Sequence, residues 1–238
     1  MPTRFGARSH VTSTLSTENG PVFVKATRID GPFAGGLRNE RAVNRHVRDI
    51  AAPLLWTVEE AGWIVLGFEH IDGRHEFYEP GGAASAALAD VLDALAAVPC
   101  PHAVTKQVAL AWARDDERLG TAMSGDALLH TDLNPANLLL TEAGPRLVDW
   151  AWASRGAAWV EIALALPRLI DHGHTPHEAE KWAHRFPAWR QAPADAVDAL
   201  ARRSLTRWTK ATGGNHARNR ALAKATHQWI GWRAQARA

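Results

Sequence analysis

Residues 11–16 and 22–27 read as strands, and Glu18-Asn19-Gly20 between them has the composition of a tight hairpin turn. Leu37, Glu40, Val43 and Val47 then recur at helical spacing, which puts Glu40 on the apolar stripe of a helix. Trp63-Ile64-Val65-Leu66-Gly67-Phe68 is a continuous apolar run of strand length, followed by the polar Glu69-His70-Ile71-Asp72 and a glycine stop at Gly73. Pro80-Gly81-Gly82 breaks the chain before a helix over residues 83–98 with Leu88, Val91, Leu92 and Leu95 on one face, stopped by Pro99. A second helical segment is expected around residues 107–119. Two short strands follow at 138–141 and 146–149, with Glu142-Ala143-Gly144-Pro145 as the turn between them. Further on, Leu200, Leu205, Trp208, Leu222, Trp229 and Trp232 mark packed amphipathic helices.

Composition narrows the class without choosing a function. At 238 residues the chain can bury a substantial core as one domain or two small lobes. Its 46% hydrophobic and 22% charged content is that of an ordinary globular protein, and no apolar run reaches membrane-spanning length. The start, Met1-Pro2-Thr3-Arg4-Phe5-Gly6, lacks an apolar signal core, and Cys100 is the single cysteine, so a reducing cytoplasm is the expected location. Charge is uneven: nine Lys or Arg and no Asp or Glu follow Asp198, a tail of +9 against −7 for the rest. Such a tail fits anionic partners, nucleic acid among them, or solvated basic helix faces.

The chemistry concentrates in the middle of the chain. His130-Thr131-Asp132-Leu133-Asn134-Pro135-Ala136-Asn137 is followed closely by Leu147-Val148-Asp149-Trp150. Asn137 enters the predicted hairpin and Asp149 leaves it, so folding brings both side chains to one open end. An amide oxygen beside a carboxylate suits Mg2+, which prefers oxygen ligands and retains waters and substrate phosphates. Asp132, on the loop just before, can then face a hydroxyl presented to a metal-bound phosphate.

This block resembles the H-x-D-L-x-x-x-N loop and following metal-binding aspartate of kinases, and within them the small-molecule phosphotransferases of the aminoglycoside phosphotransferase and choline kinase group. The resemblance implies an α+β, bilobal protein-kinase-like fold. Residues 1–72 would form an N-lobe of small antiparallel sheet plus helix, and residues 73–238 a mainly helical C-lobe. Val22-Phe23-Val24-Lys25 resembles the V-A-I-K strand, and Glu40, costly on an apolar stripe unless paired, would brace Lys25 against the nucleotide phosphates. Phe68, Glu69, His70 and Ile71 would form the connector whose backbone reads the adenine edge. Neither G-x-G-x-x-G nor a P-loop is present, so residues 8–10, Ser9 among them, are read as a short phosphate-covering segment or an ordinary loop. Trp150-Ala151-Trp152 stands where protein kinases carry Phe-Gly, which argues against a mobile switch there.

The implied activity is transfer of the γ-phosphoryl of ATP or GTP to a hydroxyl of a small molecule, with Mg2+ held by Asn137 and Asp149. Asp132 would accept the hydroxyl proton, and His130 would support the loop. Antibiotics, amino alcohols, sugars and nucleosides all remain as acceptors, for resistance or for biosynthesis, and the basic C-terminal end disfavours a polycation. The rival classes are a catalytically silent nucleotide-binding module and a basic-tailed nucleic-acid-binding protein. Glu161 is either a brace for the catalytic loop or a helix-surface charge. Trp152, Trp159, Trp182 and Trp189 are either core or the walls of an acceptor pocket. His172, His174 and His177 have a look of metal spacing, but Thr175, Pro176 and Glu178 fit the opening of a helix better.

Overall fold

The computed structural model describes residues 9–210 and 216–237. Strand β1 (Val11–Thr17) turns through Glu18 and Asn19 into β2 (Gly20–Arg28), with Gly20 at φ 103°, a backbone region open to glycine at little cost. Helix α1 (Ala34–Asn44) follows, then β3 (Leu54–Glu60) and β4 (Trp63–Glu69). These four strands form one antiparallel sheet in the order β1-β2-β4-β3. Helix α1 lies on one face, where Ala34 and Leu37 pack with Ile64, Leu66 and Phe68 as a small separate core. Strand β3 went unpredicted because six of its seven residues are exposed, so it lacks the alternation that marks a half-buried strand.

The remainder of the chain is mainly helical. After the connector come α2 (Ala83–Ala96), α3 (Val108–Trp112) and α4 (Glu117–Met123). The single helix expected at 107–119 is thus two, broken where the Asp116 carboxylate accepts from Leu119 N and starts a new helix. Strand β5 (Ala127–Leu129) leads into the central loop, and the hairpin β6 (Leu138–Thr141) and β7 (Gly144–Leu147) follows. The turn is tighter than the four residues expected. Thr141 pairs with Gly144 across Glu142-Ala143, and the strand ends at Leu147, two residues before Asp149. Strand β8 (Ser154–Gly156), too short to read from sequence, pairs with β5.

Helix α5 (Ala158–Asp171) runs through the main core with eleven of its fourteen residues buried, as expected for a helix that is apolar on almost every side. Around it pack α6 (Pro176–Ala183), α7 (Pro187–Arg190), α8 (Ala194–Lys210) and α9 (His216–Ala236). Thr175 and Glu178 form a reciprocal capping box at the start of α6, the helix-opening role expected of them. Trp159 and Trp189 are core residues, Trp182 packs against that core, and Trp152 is exposed with Lys106 over its ring. Much of the basic tail is matched internally: Arg203 pairs with Asp115, Arg218 with Asp132, Arg233 with Glu180 and Asp198, and Arg237 with Asp198. Among the described residues no helix is long and apolar enough to cross a membrane.

Gly156 marks the tightest packing near the central loop. A Cβ there would meet Val108 Cγ1 at 2.3 Å, Leu129 Cδ1 at 2.9 Å and the Met123 carbonyl at 3.2 Å. Gly156→Ala is therefore expected to destabilise the fold by about 1–3 kcal/mol, read from the urea unfolding midpoint. An unchanged midpoint would mean that this junction of α3, β5 and β8 is loosely packed.

Candidate active site

Strand β2 carries Lys25 to the underside of the sheet, where it is 6% exposed. Its Nζ donates to Glu40 Oε1 at 2.9 Å and Oε2 at 3.0 Å, and to Asp149 Oδ1 at 3.2 Å. Burial by itself lowers a lysine pKa, but the two carboxylates outweigh it and hold the ammonium above its usual value. Burial pushes the Glu40 carboxyl up, against the pull of Lys25. Glu40 Oε1 also accepts from Trp150 N at 3.2 Å, and the neighbouring Asn39 amide donates to Ala153 O at 2.9 Å. Helix α1 is thereby fastened to the segment that follows Asp149.

The central loop is organised by its backbone. Leu138 pairs with Leu147, and Val148 N donates to Asn137 O at 2.9 Å, so Asn137 and Asp149 stand together at the open end of the hairpin. Asp149 has φ 68°, a left-handed conformation that aspartate tolerates better than most residues. Asn137 Nδ2 donates to the Asp132 carbonyl at 2.9 Å and to Asp132 Oδ2 at 3.3 Å. That use of the amide nitrogen turns the amide oxygen away from Asp132. Thr131, at φ 65°, donates its N–H to both oxygens of Glu161 at 3.0 and 3.1 Å. Glu161 is 3% exposed, which places it inside the protein under the loop rather than on a helix surface.

His130 is fully buried, edge-on to Trp150. Its Nε2 lies 3.1 Å from Val148 O, and its Nδ1 accepts from Asp132 N at 3.3 Å. The carbonyl requires an Nε2–H donor, and burial lowers the ring pKa, so the geometry is that of a neutral imidazole joining loop to hairpin.

Lys25, Asn137 and Asp149 share the wall of a cavity of about 270 Å3 between the sheet and the hairpin. Glu69, His70, Ile71, Asp72 and Gly73 form its rim and continue into a wider groove of about 640 Å3 that also holds Arg74 and Arg146. Thr14, Phe23, Ala52, Leu139 and Val148 supply walls that the sequence did not single out. Phe68 and Ser9 do not line this cavity. Phe68 belongs to the small core under the sheet, and the Ser9 hydroxyl is buried without a hydrogen-bond partner. Residue Arg8 of the expected covering segment lies outside the described residues. His10 is turned toward Thr27, Phe33 and Trp63.

Asp132 has company that the motif does not reveal. Arg168, from the apolar stretch Ala165-Leu166-Pro167-Arg168-Leu169-Ile170 of α5, donates from Nη2 to Asp132 Oδ1 at 2.8 Å. Arg218, near the start of α9, stands 3.9 Å from the same oxygen. The signal for Arg168 was a lone charge inside a run of buried apolar residues. Arg218 left no signal, because it stands on a helix turn rich in polar residues.

Glu161 gives this loop a pH dependence. Burial pushes its carboxyl from an ordinary 4.5 up to about 7. The folded protein then keeps a proton that the unfolded chain releases at lower pH, so stability from this group falls as pH rises from 4.5 to 7. The loss reaches about 3 kcal/mol. Glu161→Gln, which does not titrate, is expected to gain on the wild type as pH rises from about 5 to about 8, read as urea midpoints. A difference that stays constant with pH would show that Glu161 does not ionise in this range.

Residues 102–194 match the model of the phosphotransferase enzyme family. Aminoglycoside phosphotransferase APH(4)-Ia superposes with a TM-score of 0.64 at 15% identity, over 98% of this chain and 92% of that one. A thermostable mutant of the same protein, in ternary complex with AMP-PNP and hygromycin B, gives 0.63 at 16% identity, over 98% and 92%. An aminoglycoside phosphotransferase from Alicyclobacillus acidocaldarius gives 0.58 at 13% identity, over 98% and 93%. No curated protein matches the chain in sequence. Nearly the whole chain thus has the fold of the aminoglycoside phosphotransferases, and its central block has the sequence pattern of the phosphotransferase enzyme family.

Proposed function

We propose that the protein transfers the γ-phosphoryl group of ATP, or GTP, to a hydroxyl of a small molecule. The observation that carries this reading is the buried Lys25 ammonium shared between Glu40 and Asp149 on the wall of a cavity that Asn137 also lines. Residues 1–72 act as the nucleotide-covering lobe, and residues 73–238 carry the loop and the acceptor side. The backbone of Glu69, His70 and Ile71 takes the base, and Lys25 takes the phosphates.

The donors fit Mg2+. Two carboxylates share one ammonium, which leaves net negative charge on the cavity wall that Asn137 also lines, and a carboxylate and an amide oxygen are both hard ligands. Asn137 and Asp149 would hold the ion, which neutralises phosphate charge when bound. The other residues position and move a proton. Asp132 faces the acceptor hydroxyl, whose oxygen bonds to the γ-phosphorus while its proton passes to the carboxylate. The bond from that phosphorus to the β–γ bridging oxygen breaks, and its electron pair leaves with ADP. His130, Glu161 and Asn137 hold the loop so that Asp132 points the right way, the positioning that dominates catalysis in this class.

The test is Mg2+-dependent ADP release against hydroxylated antibiotics, nucleosides, sugars and amino alcohols, with nucleotide binding measured in parallel. Asp132→Ala is expected to lower kcat by about 100-fold or more while nucleotide still binds. Lys25→Met and Asp149→Asn should weaken Mg2+–nucleotide binding, and chelation of Mg2+ should stop turnover. Wild-type protein that binds no nucleotide would overturn the reading. Nucleotide binding with full turnover in Asp132→Ala would remove Asp132 from the role given to it.

A further inference from the structure

Two guanidiniums stand against Asp132, and they are unusual neighbours for a carboxylate that must receive a proton. The Arg168 side chain is 8% exposed and spends one N–H on Asp132 Oδ1. Its Nε and Nη1 meet no acceptor among the described residues. Arg218 approaches Asp132 Oδ1 from α9. With the Asn134 amide turned oxygen-first, Asn134 accepts from both Arg218 terminal nitrogens at 2.9 and 3.0 Å.

The charges of this cluster are two guanidiniums against the Asp132 carboxylate and a Glu161 carboxyl that burial keeps part-protonated near neutral pH, which leaves the site positive there. Taking a guanidinium out of water is costly, and a partly exposed Asp132 with a part-protonated Glu161 repays only some of that cost. The remaining donors of Arg168 and the guanidinium of Arg218 have the same complement, an acceptor-rich anion. A polycation arriving at Asp132 would meet two positive charges at close range. A guanidinium fork, by contrast, matches a carboxylate or a phosphate in two parallel bonds.

We propose that the acceptor is an anionic hydroxylated small molecule whose carboxylate or phosphate is bound by Arg168 and Arg218. Binding of that anion draws Arg168 partly off Asp132 and leaves the carboxylate to the acceptor hydroxyl. The proposal rests on the phosphoryl-transfer reading and deepens it. The chemical step and its balance are those given above, with ATP as the co-reactant.

The experiment compares acceptors that share a scaffold and differ in charge: glucosamine, glucose, glucuronate and glucose 6-phosphate, then serinol, glycerol, glycerate and glycerol 3-phosphate. Hygromycin B serves as the polycationic control. ADP release and Mg2+–nucleotide binding are measured on the same samples. The expected result is a higher kcat/KM for an anion than for its neutral and cationic counterparts, and the carboxylate and phosphate arms tell the two headgroups apart. Arg168→Gln and Arg218→Gln should cut that preference by about 10-fold or more, chiefly through KM. A merely structural arginine would lower kcat for every acceptor and leave the preference intact. Arg218 is part-exposed, so its variant keeps the test alive if Arg168→Gln fails to fold. Nucleotide binding with no turnover of any anion, or with a cation preferred, overturns this proposal and leaves the nucleotide reading standing. Absence of nucleotide binding sinks both.

Discussion

One ammonium group, taken out of water and divided between two carboxylates, holds the halves of this molecule in register. Lys25 comes from the sheet, Glu40 from the helix laid on it, and Asp149 from the far side of the cavity. None of the three is tolerable alone: stripping a partner from a buried ion pair costs about 3–5 kcal/mol, because the remaining charge is left uncompensated. The triad also fixes position, since Glu40 accepts from the Trp150 N–H and the adjacent Asn39 amide donates to the Ala153 carbonyl. Gly36 on the same helix comes so close that an added Cβ would lie 3.3 Å from that of Ala151. Charge, hydrogen bonding and packing therefore all seat α1 at one place.

A second constraint lies in the backbone. Thr131 and Asp149 both adopt positive φ without being glycine, and they bracket the loop that carries Asp132 and Asn137. Such conformations cost about 1–3 kcal/mol each and persist only where the surroundings insist on them. At Thr131 the surroundings are the two oxygens of Glu161 on its N–H and the Trp152 carbonyl on its hydroxyl. Between these points the loop is pinned further by a single helical turn over Pro135–Asn137, closed by Asn137 N donating to the Asn134 carbonyl at 2.7 Å. The polar side chains are aimed by this frame more than by their own contacts.

What could be read in the sequence was what is local. The spacing of Asp132, Asn137 and Asp149 is set by one loop and one hairpin, and Glu40 announced itself as a carboxylate on an apolar stripe. The failures share a physical cause. Strand β3 is an exposed edge that buries no alternating face, and the break between α3 and α4 depends on one capping carboxylate. The two alternatives left for four tryptophans could not be separated in sequence, because aromatic residues serve core and pocket equally well; Trp159 and Trp189 are core and Trp182 packs against it. Arg168 and Arg218 reach Asp132 across 36 and 86 positions of chain, and no periodicity spans such gaps. Tertiary packing alone brings them there.

The same remoteness governs how the site comes into being. Lys25 and Asp149 are separated by 124 residues, so their bond closes a loop larger than half the chain. Loop-closure entropy opposes that contact until other contacts have already drawn its ends together. The hairpin at Asn137 can form early from neighbouring residues, whereas the ion triad must wait for the sheet, α1 and the main core to dock. The cavity is accordingly a late product of folding, and its loss on heating should coincide with collapse of the whole rather than precede it.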